Sequence, residues 1–303
     1  MTIVLTRPVA TVPSTVDLHL HSTVSDGDDS PGELARRCVD AGLRVVACTD
    51  HDSLAGYDEF RAAAAPAGLT VVPGCEITAT WRGQEVHCLA YFVDPADATF
   101  QARVTSVRDE ETRWWRTWFA QASAARVPVS WAAVERRFGP DRVAYLGDYL
   151  DFFLAAAGDD PRFAGYERGG RHDRLIAEWC RPGQPLHVPP PWRPPLSDVV
   201  AWVRAASGVA VLAHPGRLGA ESDPGWAELA ELGLAGLEAW TTWHDPADIR
   251  RTVDACEAVG LIPTAGSDYH GPRLKPWAPA PGLLPEAVPE PLAAVEALYH
   301  RRD

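Results

Sequence analysis

Residues 16–27 read VDLHLHSTVSDG, an alternating segment followed by a polar turn. Three apolar side chains alternate with Asp17, His19 and His21, which predicts a β-strand with one apolar and one polar face. His19 and His21 then point the same way and can bind one metal ion, and Asp26 in the turn can reach the same place. The alternative is a surface strand that carries two solvated histidines.

The same pattern recurs where other short apolar runs end. Residues 45–49 form a predicted buried strand that leads into His51, and residues 69–72 lead into Glu76. Three later predicted strands carry or precede further histidines and an aspartate. Because active sites of parallel sheets lie at the carboxyl edge of the strands, we expect these side chains to meet. The candidate metal ligands are His19, His21, Asp26, His51, Glu76, His87, His214, Asp268 and His270.

The later candidates also have simpler interpretations. His51 lies in a segment suited to begin a helix, and Glu76 alone fits a buried carboxylate paired with an arginine. His87 fits a satisfied core histidine, and His214 precedes a proline and fits a turn. What favours metal binding is the coincidence of all nine candidates at one predicted sheet edge. Four further histidines are not expected to bind metal, although His244 also follows a predicted strand, 236–240: His172, His187, His244 and His300.

The donor set indicates which metals to expect. Nine nitrogen and oxygen ligands suit two or three ions better than one, with a carboxylate such as Glu76 as a bridge. No cysteine belongs to the set, which argues against a Cys-rich zinc site. Mixed imidazole and carboxylate ligands favour Mn²⁺, with Fe²⁺ or Zn²⁺ as alternatives, over Mg²⁺ or Ca²⁺.

Composition excludes several classes of partner. The 303-residue chain has a formal net charge of -13, which argues against nonspecific nucleic-acid binding, including duplex DNA. Lys275 is the single lysine, so chemistry that needs a lysine elsewhere is not expected. The six cysteines form no Cys-x-x-Cys pair, which indicates reduced thiols in a cytoplasmic protein. We expect no signal peptide, no membrane-spanning segment and no membrane partner.

Strands alternate with helices over residues 15–99 and again over 196–303, which predicts an α/β fold. Between them, residues 100–195 break the alternation with several predicted helices and a proline-rich connector. We interpret 100–195 as an inserted, mainly helical cap subdomain. Its clustered tryptophans are expected in a hydrophobic core, with stacking on a substrate base as the alternative: Trp114, Trp115 and Trp118.

Together, the motifs resemble the polymerase and histidinol phosphatase (PHP) family. They are His-x-His with a following Ser-Asp-Gly, Thr-Asp-His-Asp, Pro-Gly-x-Glu, a strand histidine, Ala-His-Pro and Gly-Ser-Asp-x-His-Gly-Pro, over residues 15–93 and 196–276. The order and the long insert are most similar to bacterial metal-dependent phosphoesterases that act on nucleotides and short oligonucleotides. The resemblance implies a distorted seven-stranded β/α barrel with a trinuclear metal centre.

The resemblance also implies which residues share each ion. The first ion would be held by His19, His21, Glu76 and Asp268, the second by Asp26, His51 and His270, and the third by Glu76, His87 and His214. The insert departs from the family, whose members carry an Arg-x-His-Phe-Ala-like stretch that binds the substrate phosphate. The comparable region here, 142–149, offers Arg142 for the arginine but no histidine.

These features predict hydrolysis of a phosphate monoester by attack of a metal-bound hydroxide. The substrate would be a small molecule, either a nucleotide or a phosphorylated metabolite, including one of specialised biosynthesis. His244 and Asp50 are candidates for orienting a ligand or donating a proton. The expected phosphate contacts, for which plain surface charge is the alternative, are Arg217, Arg273, Lys275 and Arg142.

Three other functions stay open. The first is a phosphodiesterase or 5′→3′ exonuclease that acts on short oligonucleotides or nucleotide bisphosphates. The second is an amidohydrolase. Many enzymes of that class need a lysine on a middle strand, and the single lysine here, Lys275, lies beyond the final motif, which argues against this function. The third is a metal-binding module without catalysis. The oligomeric state is left undetermined.

Overall fold

The structure is a computed structural model, and it describes residues 11–139, 144, 146–166, 172–219 and 225–302. The chain forms two compact units. The first combines the residues up to Thr105 with those from Arg193 onward, and the second is Ser106–Trp192. The second unit overlaps the insert expected at 100–195, and the action of that insert as a cap stays a prediction.

The described strands all lie in the first unit and are short. They are β1 (Val12–Pro13), β2 (Val16–Leu20), β3 (Val45–Cys48), β4 (Thr70–Val71), β5 (Gly74–Trp81), β6 (Gln84–Tyr91), β7 (Val209–Leu212), β8 (Gly236–Trp240), β9 (Ile262–Ala265) and β10 (Leu283–Leu284).

The described helices occur in both units. They are α1 (Pro31–Asp40), α2 (Tyr57–Ala64), α3 (Ala98–Ala124), α4 (Trp131–Phe138), α5 (Leu146–Ala157), α6 (Asp173–Trp179), α7 (Leu196–Ala205), α8 (Trp226–Glu231), α9 (Pro246–Val259) and α10 (Pro291–Tyr299).

Local capping signals explain where several helices begin. The Ser30 side chain accepts from the Glu33 backbone N–H and the Glu33 carboxylate accepts from the Ser30 backbone N–H, so α1 begins at a capping box with Pro31 as its first residue. Asp245 caps α9 in the same way, and Gly260 ends that helix in the left-handed region. Satisfying these backbone groups stabilises each helix at its end.

The strands pair in three sheets. Strands β2-β3-β4 are parallel, β5-β6-β7-β8-β9 form a mixed sheet, and β1 pairs with β10. The expectation of uniformly parallel units is wrong for β5, β6 and β7, which pair antiparallel. The cause is a two-residue turn at Arg82 and Gly83, whose φ angles of 48° and 76° suit a tight hairpin.

Single bridges join the two larger sheets. Leu20 at the end of β2 pairs with Tyr269 beyond β9, and His51 beyond β3 pairs with Glu76 in β5. The α/β class is confirmed. Glu76 lies inside β5 instead of after the strand expected at 69–72, because that strand is reduced to the two residues of β4.

Four strands of the first unit, β2, β3, β7 and β8, are buried along their whole length, including their polar residues. All five residues of β2 are buried. Asp17 in β2 accepts hydrogen bonds from the Ser267 backbone N–H and hydroxyl and from the Gly282 backbone N–H, at 2.6–2.9 Å. A buried carboxylate needs such partners, and this one attaches the segment after β9 to β2.

The second unit has an aromatic core built from α3, α4, α5 and α6. Trp118, Phe119, Tyr149 and Phe153 are all almost fully buried in it. Trp115 is also buried, so the core interpretation is confirmed for Trp115 and Trp118. The third clustered tryptophan of α3 is partly buried and donates its indole N–H to the Pro189 carbonyl.

All six cysteines are free, and five of them are buried. Within the described ranges, no helix combines the length and the apolar content that crossing a lipid bilayer requires.

Candidate metal centre

The six predicted histidine ligands form one cluster in the first unit. The ring of His21 lies 3.9 Å from that of His270 and 4.6 Å from that of His51, measured between centroids. The ring of His87 lies 5.0 Å from His51 and 5.1 Å from His214. The remaining ring, that of His19, lies 5.1 Å from His21, so residues far apart in the chain meet at one place.

Glu76 lies at the centre of this cluster. Its Oε2 is 3.0 Å from His19 Nε2, 3.1 Å from His21 Nε2 and 3.3 Å from His51 Nδ1. Its Oε1 is 2.9 Å from His87 Nδ1 and 3.2 Å from His214 Nε2. One buried carboxylate therefore contacts five imidazoles from four different parts of the sheets.

The central atoms of the cluster lack hydrogen bonds. Among the described residues, seven buried side-chain nitrogen or oxygen atoms make no hydrogen bond, and four of them meet here: His19 Nε2, His21 Nε2, His51 Nδ1 and Glu76 Oε2. Each unsatisfied buried polar group costs about 1–3 kcal/mol. Convergent lone pairs of this kind match the ligands of a cation. The residues present therefore fit a divalent metal.

The ligand atoms fall into three overlapping groups, each within 4.8 Å. One contains His19, His21, Glu76 and Asp268, the set that the resemblance implies for the first ion. The second contains Asp26, His51 and His270 together with His21. The third contains Glu76 and His87 with His51, whereas His214 lies outside this group and contacts Glu76 Oε1 at 3.2 Å.

Buried carboxylates in the cluster are held ionised. Burial raises the pKa of Glu76, but His19 and His51 outweigh this and hold the pKa well below its usual range. Burial likewise raises the pKa of Asp268, but Lys275 and His19 outweigh it and hold that pKa low. Both carboxylates therefore stay ionised at neutral pH and can bind a cation once the neighbouring imidazoles release their protons.

Neighbouring carboxylates raise the pKa of three histidines in the cluster, His19, His21 and His87. Burial lowers the pKa of His21, but the carboxylates of Asp268 and Glu76, which lie 3.1–3.2 Å from its Nε2, outweigh this and raise it to about 9. Burial also lowers the pKa of His87, and the charge of Glu76 outweighs it, again with a pKa of about 9. A metal ion that binds at neutral pH must therefore displace protons from these rings.

Glu238 is a buried carboxylate that contacts two residues of the cluster and is absent from the predicted site residues. Glu238 in β8 places Oε1 2.8 Å from His19 Nδ1, and its Oε2 accepts the His214 backbone N–H at 2.8 Å. A partner at Nδ1 directs Nε2 of His19 toward Glu76. The signal was present as a glutamate in the middle of the predicted apolar strand 236–240, where a charge needs a reason.

Asp50 holds the turn that carries a candidate ligand. It accepts hydrogen bonds from the Ser22 backbone N–H and hydroxyl and from the Ser25 hydroxyl, at 2.7–2.8 Å. The Ser25 hydroxyl lies 3.2 Å from Asp26 Oδ1 and 3.4 Å from His21 Nδ1. Asp50 thus contacts the cluster through Ser25, in agreement with the orienting role and not with proton donation.

His244 lies outside the cluster. Its Nδ1 lies 2.7 Å from the Ala239 carbonyl, and its Nε2 accepts the Gly216 backbone N–H at 2.9 Å. Because both ring nitrogens are engaged by the backbone, the expectation that His244 donates a proton is not supported. It instead supports the backbone that follows His214.

The predicted phosphate-binding cations differ in their surroundings. Arg217 is exposed, and within the described part of the chain its guanidinium makes no ion pair. Arg273 pairs with Asp28 at 2.7 Å. Lys275 is buried with its Nζ 2.6 Å from Asp268 Oδ2. The fourth, Arg142, lies outside the described residues.

Several known proteins are similar to this chain in sequence and in fold. Residues 17–128 match the PHP domain family. The chain is 29% identical over 265 residues to a 3′,5′-nucleoside bisphosphate phosphatase of Chromobacterium violaceum. This match covers 85% of the chain and 87% of that protein. It is 30% identical over 269 residues to a phosphoribosyl 1,2-cyclic phosphate 1,2-diphosphodiesterase of Eggerthella lenta, with 84% and 94% covered.

A solved structure agrees. A Bifidobacterium adolescentis protein assigned as a metal-dependent phosphoesterase matches 96% of this chain and 98% of its own, with a TM-score of 0.77 and 28% identity. The relatives are hydrolases of phosphoric esters. On this identity and coverage, the chain belongs to the PHP domain family of metal-dependent phosphoesterases.

Proposed function

We propose that the protein hydrolyses phosphate monoesters of small molecules, either nucleotides or phosphorylated metabolites, with two or three divalent metal ions. The observation that carries the proposal is the convergence of five imidazoles on the two oxygens of Glu76. The chain has a net charge of -13, so clustered cations are needed for an anionic ester to approach. The Chromobacterium violaceum relative, a nucleoside bisphosphate phosphatase, supports a nucleotide substrate.

We propose that the nine predicted ligands hold these ions. The three overlapping groups of ligand atoms support two or three positions, with Glu76 shared between two of them. Imidazole and carboxylate ligands suit Mn²⁺, Fe²⁺ or Zn²⁺, and Mn²⁺ is our first choice. The proposed ligands are His19, His21, Asp26, His51, Glu76, His87, His214, Asp268 and His270.

Ions bound there would lower the pKa of a water molecule toward neutrality and offset the charge of the phosphoryl group. The side chains of the protein would bind the substrate phosphate and orient the metal ligands. The exposed guanidinium of Arg217 is suited to bind non-bridging phosphate oxygens. Glu238 orients His19, and Asp50 orients Asp26 through the Ser25 hydroxyl.

We also propose that β2, β3 and β5–β9 close into the seven-stranded barrel that the motifs imply. Two bridges support closure, since Leu20 at the end of β2 pairs with Tyr269 beyond β9, and His51 beyond β3 pairs with Glu76 in β5. Strand β4 would then lie outside the seven. The free cysteines support a cytoplasmic location.

A second candidate is hydrolysis of a phosphodiester, including 5′→3′ exonuclease action on short oligonucleotides. The Eggerthella lenta relative, a diphosphodiesterase of a cyclic phosphate, supports it. The two candidates differ in their products, because a monoesterase releases inorganic phosphate whereas a diesterase leaves a new monoester.

The test uses protein stripped with a chelator and resupplied with Mn²⁺. It is offered p-nitrophenyl phosphate, bis-p-nitrophenyl phosphate, a nucleoside 3′,5′-bisphosphate and short 5′-phosphorylated RNA. We expect metal-dependent phosphate release from the monoesters, lost in His51→Ala and kept in His300→Ala, an exposed histidine. Faster turnover of the diesters would favour the second candidate. Metal binding without turnover of any ester would refute both and favour a non-catalytic module.

A further inference from the structure

Asp268 uses its two carboxylate oxygens differently. Oδ1 faces the histidine cluster, 3.3 Å from His19 Nε2 and 3.2 Å from His21 Nε2. Oδ2 faces the other way, 2.5 Å from the indole Nε1 of Trp243 and 2.6 Å from Nζ of Lys275. Two donors therefore fix the rotation of this carboxylate, and only Oδ1 is presented to the cluster.

The same indole also contacts a cation that the proposed function uses. The guanidinium carbon of Arg217 lies 4.7 Å from the centroid of the Trp243 ring, within cation–π distance. Lys275 Nζ lies 5.2 Å from that centroid. Trp243 is partly exposed and follows β8 by three residues, beyond the end of the strand. One side chain thus contacts both a candidate metal ligand and a candidate phosphate-binding arginine.

We propose that Trp243 is a positioning residue that links metal binding to phosphate binding. Its N–H holds Asp268 so that one oxygen is offered to the metal, and its ring supports Arg217 beside the cluster. Lys275, which shares the same oxygen, acts as the counter-ion of Asp268 and not as a phosphate contact. The part that concerns Arg217 rests on the proposed phosphatase function, whereas the part that concerns Asp268 requires only metal binding.

The two contacts of Trp243 can be removed separately. Trp243→Phe keeps an aromatic face for Arg217 and removes the N–H donor to Asp268. Trp243→Leu removes both. The chain also provides a matched control in Trp277, whose ring packs edge-on against Trp243 at 5.7 Å and whose buried Nε1 makes no hydrogen bond. Trp277→Phe therefore makes the same chemical change without the loss of a hydrogen bond.

The first measurement is metal affinity, by titration of Mn²⁺ into stripped protein in the absence of substrate. Loss of a partner of a metal ligand typically costs 10–100-fold in affinity, so we expect about that loss for Trp243→Phe. We expect no change for Trp277→Phe. Wild-type affinity in Trp243→Phe, or an equal loss in both variants, would overturn the proposal.

The second measurement is KM for p-nitrophenyl phosphate at saturating Mn²⁺. We expect Trp243→Phe to keep the wild-type KM and Trp243→Leu to raise it about 2- to 5-fold, the equivalent of an exposed cation–π contact. In a protein that already carries Arg217→Met, we expect Trp243→Leu to cause no further rise in KM. An equal rise with and without Arg217 would overturn the link to phosphate binding.

Folding and function are separable in this design. If Trp243→Phe does not fold, Lys275→Met is measured instead, because it removes the other donor to Asp268 Oδ2. An unchanged Mn²⁺ affinity in that variant would overturn the proposal that these donors position Asp268 for metal binding. If the wild-type protein binds Mn²⁺ but turns over no ester, the proposed function fails, while the affinity measurements still test the role of Trp243.

Discussion

Replacing Glu238 by glutamine tests whether a buried carboxylate orients the metal centre. Glu238 is 1% exposed and faces two N–H groups, that of the His214 backbone and that of His19 Nδ1, each at 2.8 Å. A carboxylate accepts from both, whereas an amide has one acceptor oxygen and one NH₂ group. In Glu238→Gln one of the two donors therefore faces another donor.

The expected cost follows from this mismatch. A buried N–H without an acceptor costs about 1–3 kcal/mol, so we expect the free energy of unfolding to fall by that amount. If His19 escapes the mismatch by carrying its proton on Nε2, it loses the lone pair that faces Glu76. Either way we expect metal affinity to fall about 10–100-fold, equivalent to about 1.4–2.7 kcal/mol.

The assay is calorimetric titration of Mn²⁺ into the stripped protein, with urea unfolding of the metal-free protein in parallel. Glu257→Gln is the control, since Glu257 is exposed on α9 and the substitution is chemically the same. Wild-type metal affinity in Glu238→Gln, at any stability, would refute the orienting role of Glu238.

Three further outcomes are expected. His51→Ala should bind fewer Mn²⁺ per chain by elemental analysis, since His51 belongs to two of the three ligand groups, and full stoichiometry in that variant would contradict the ligand assignment. Burial lowers the pKa values of His21 and His87, but neighbouring carboxylates outweigh it and raise both to about 9. Because these rings must lose a proton before they bind metal, the affinity for Mn²⁺ should rise from pH 6.5 to pH 9. Calorimetry in buffers of different ionisation enthalpy should show proton release, and a pH-independent affinity would argue against these rings as ligands. Gly216→Ala would place a Cβ 2.6 Å from the His244 ring and displace the backbone after His214, so ester turnover should fall; unchanged turnover would show that this segment relaxes freely.

Several parts of the fold follow from neighbours in the chain. Helix α1 begins at a capping box, and α9 begins at Asp245 and ends at Gly260. Caps, prolines at the first turn and helical periodicity act within a few residues, so sequence reveals them. The alternation over residues 16–21 likewise placed His19 and His21 on one face, because side-chain direction in a strand has a period of two.

The sequence by itself determined the identity of the nine candidate ligands, since their residue types recur where strands end. Only the tertiary structure decided their partners. Glu238 meets His19 across 219 positions of sequence, and Lys275 is buried against Asp268 instead of free to bind phosphate. The hairpin of β5 and β6 replaced an expected parallel arrangement. Contacts of this kind form only when distant strands assemble, and no local pattern encodes which buried charges then become neighbours.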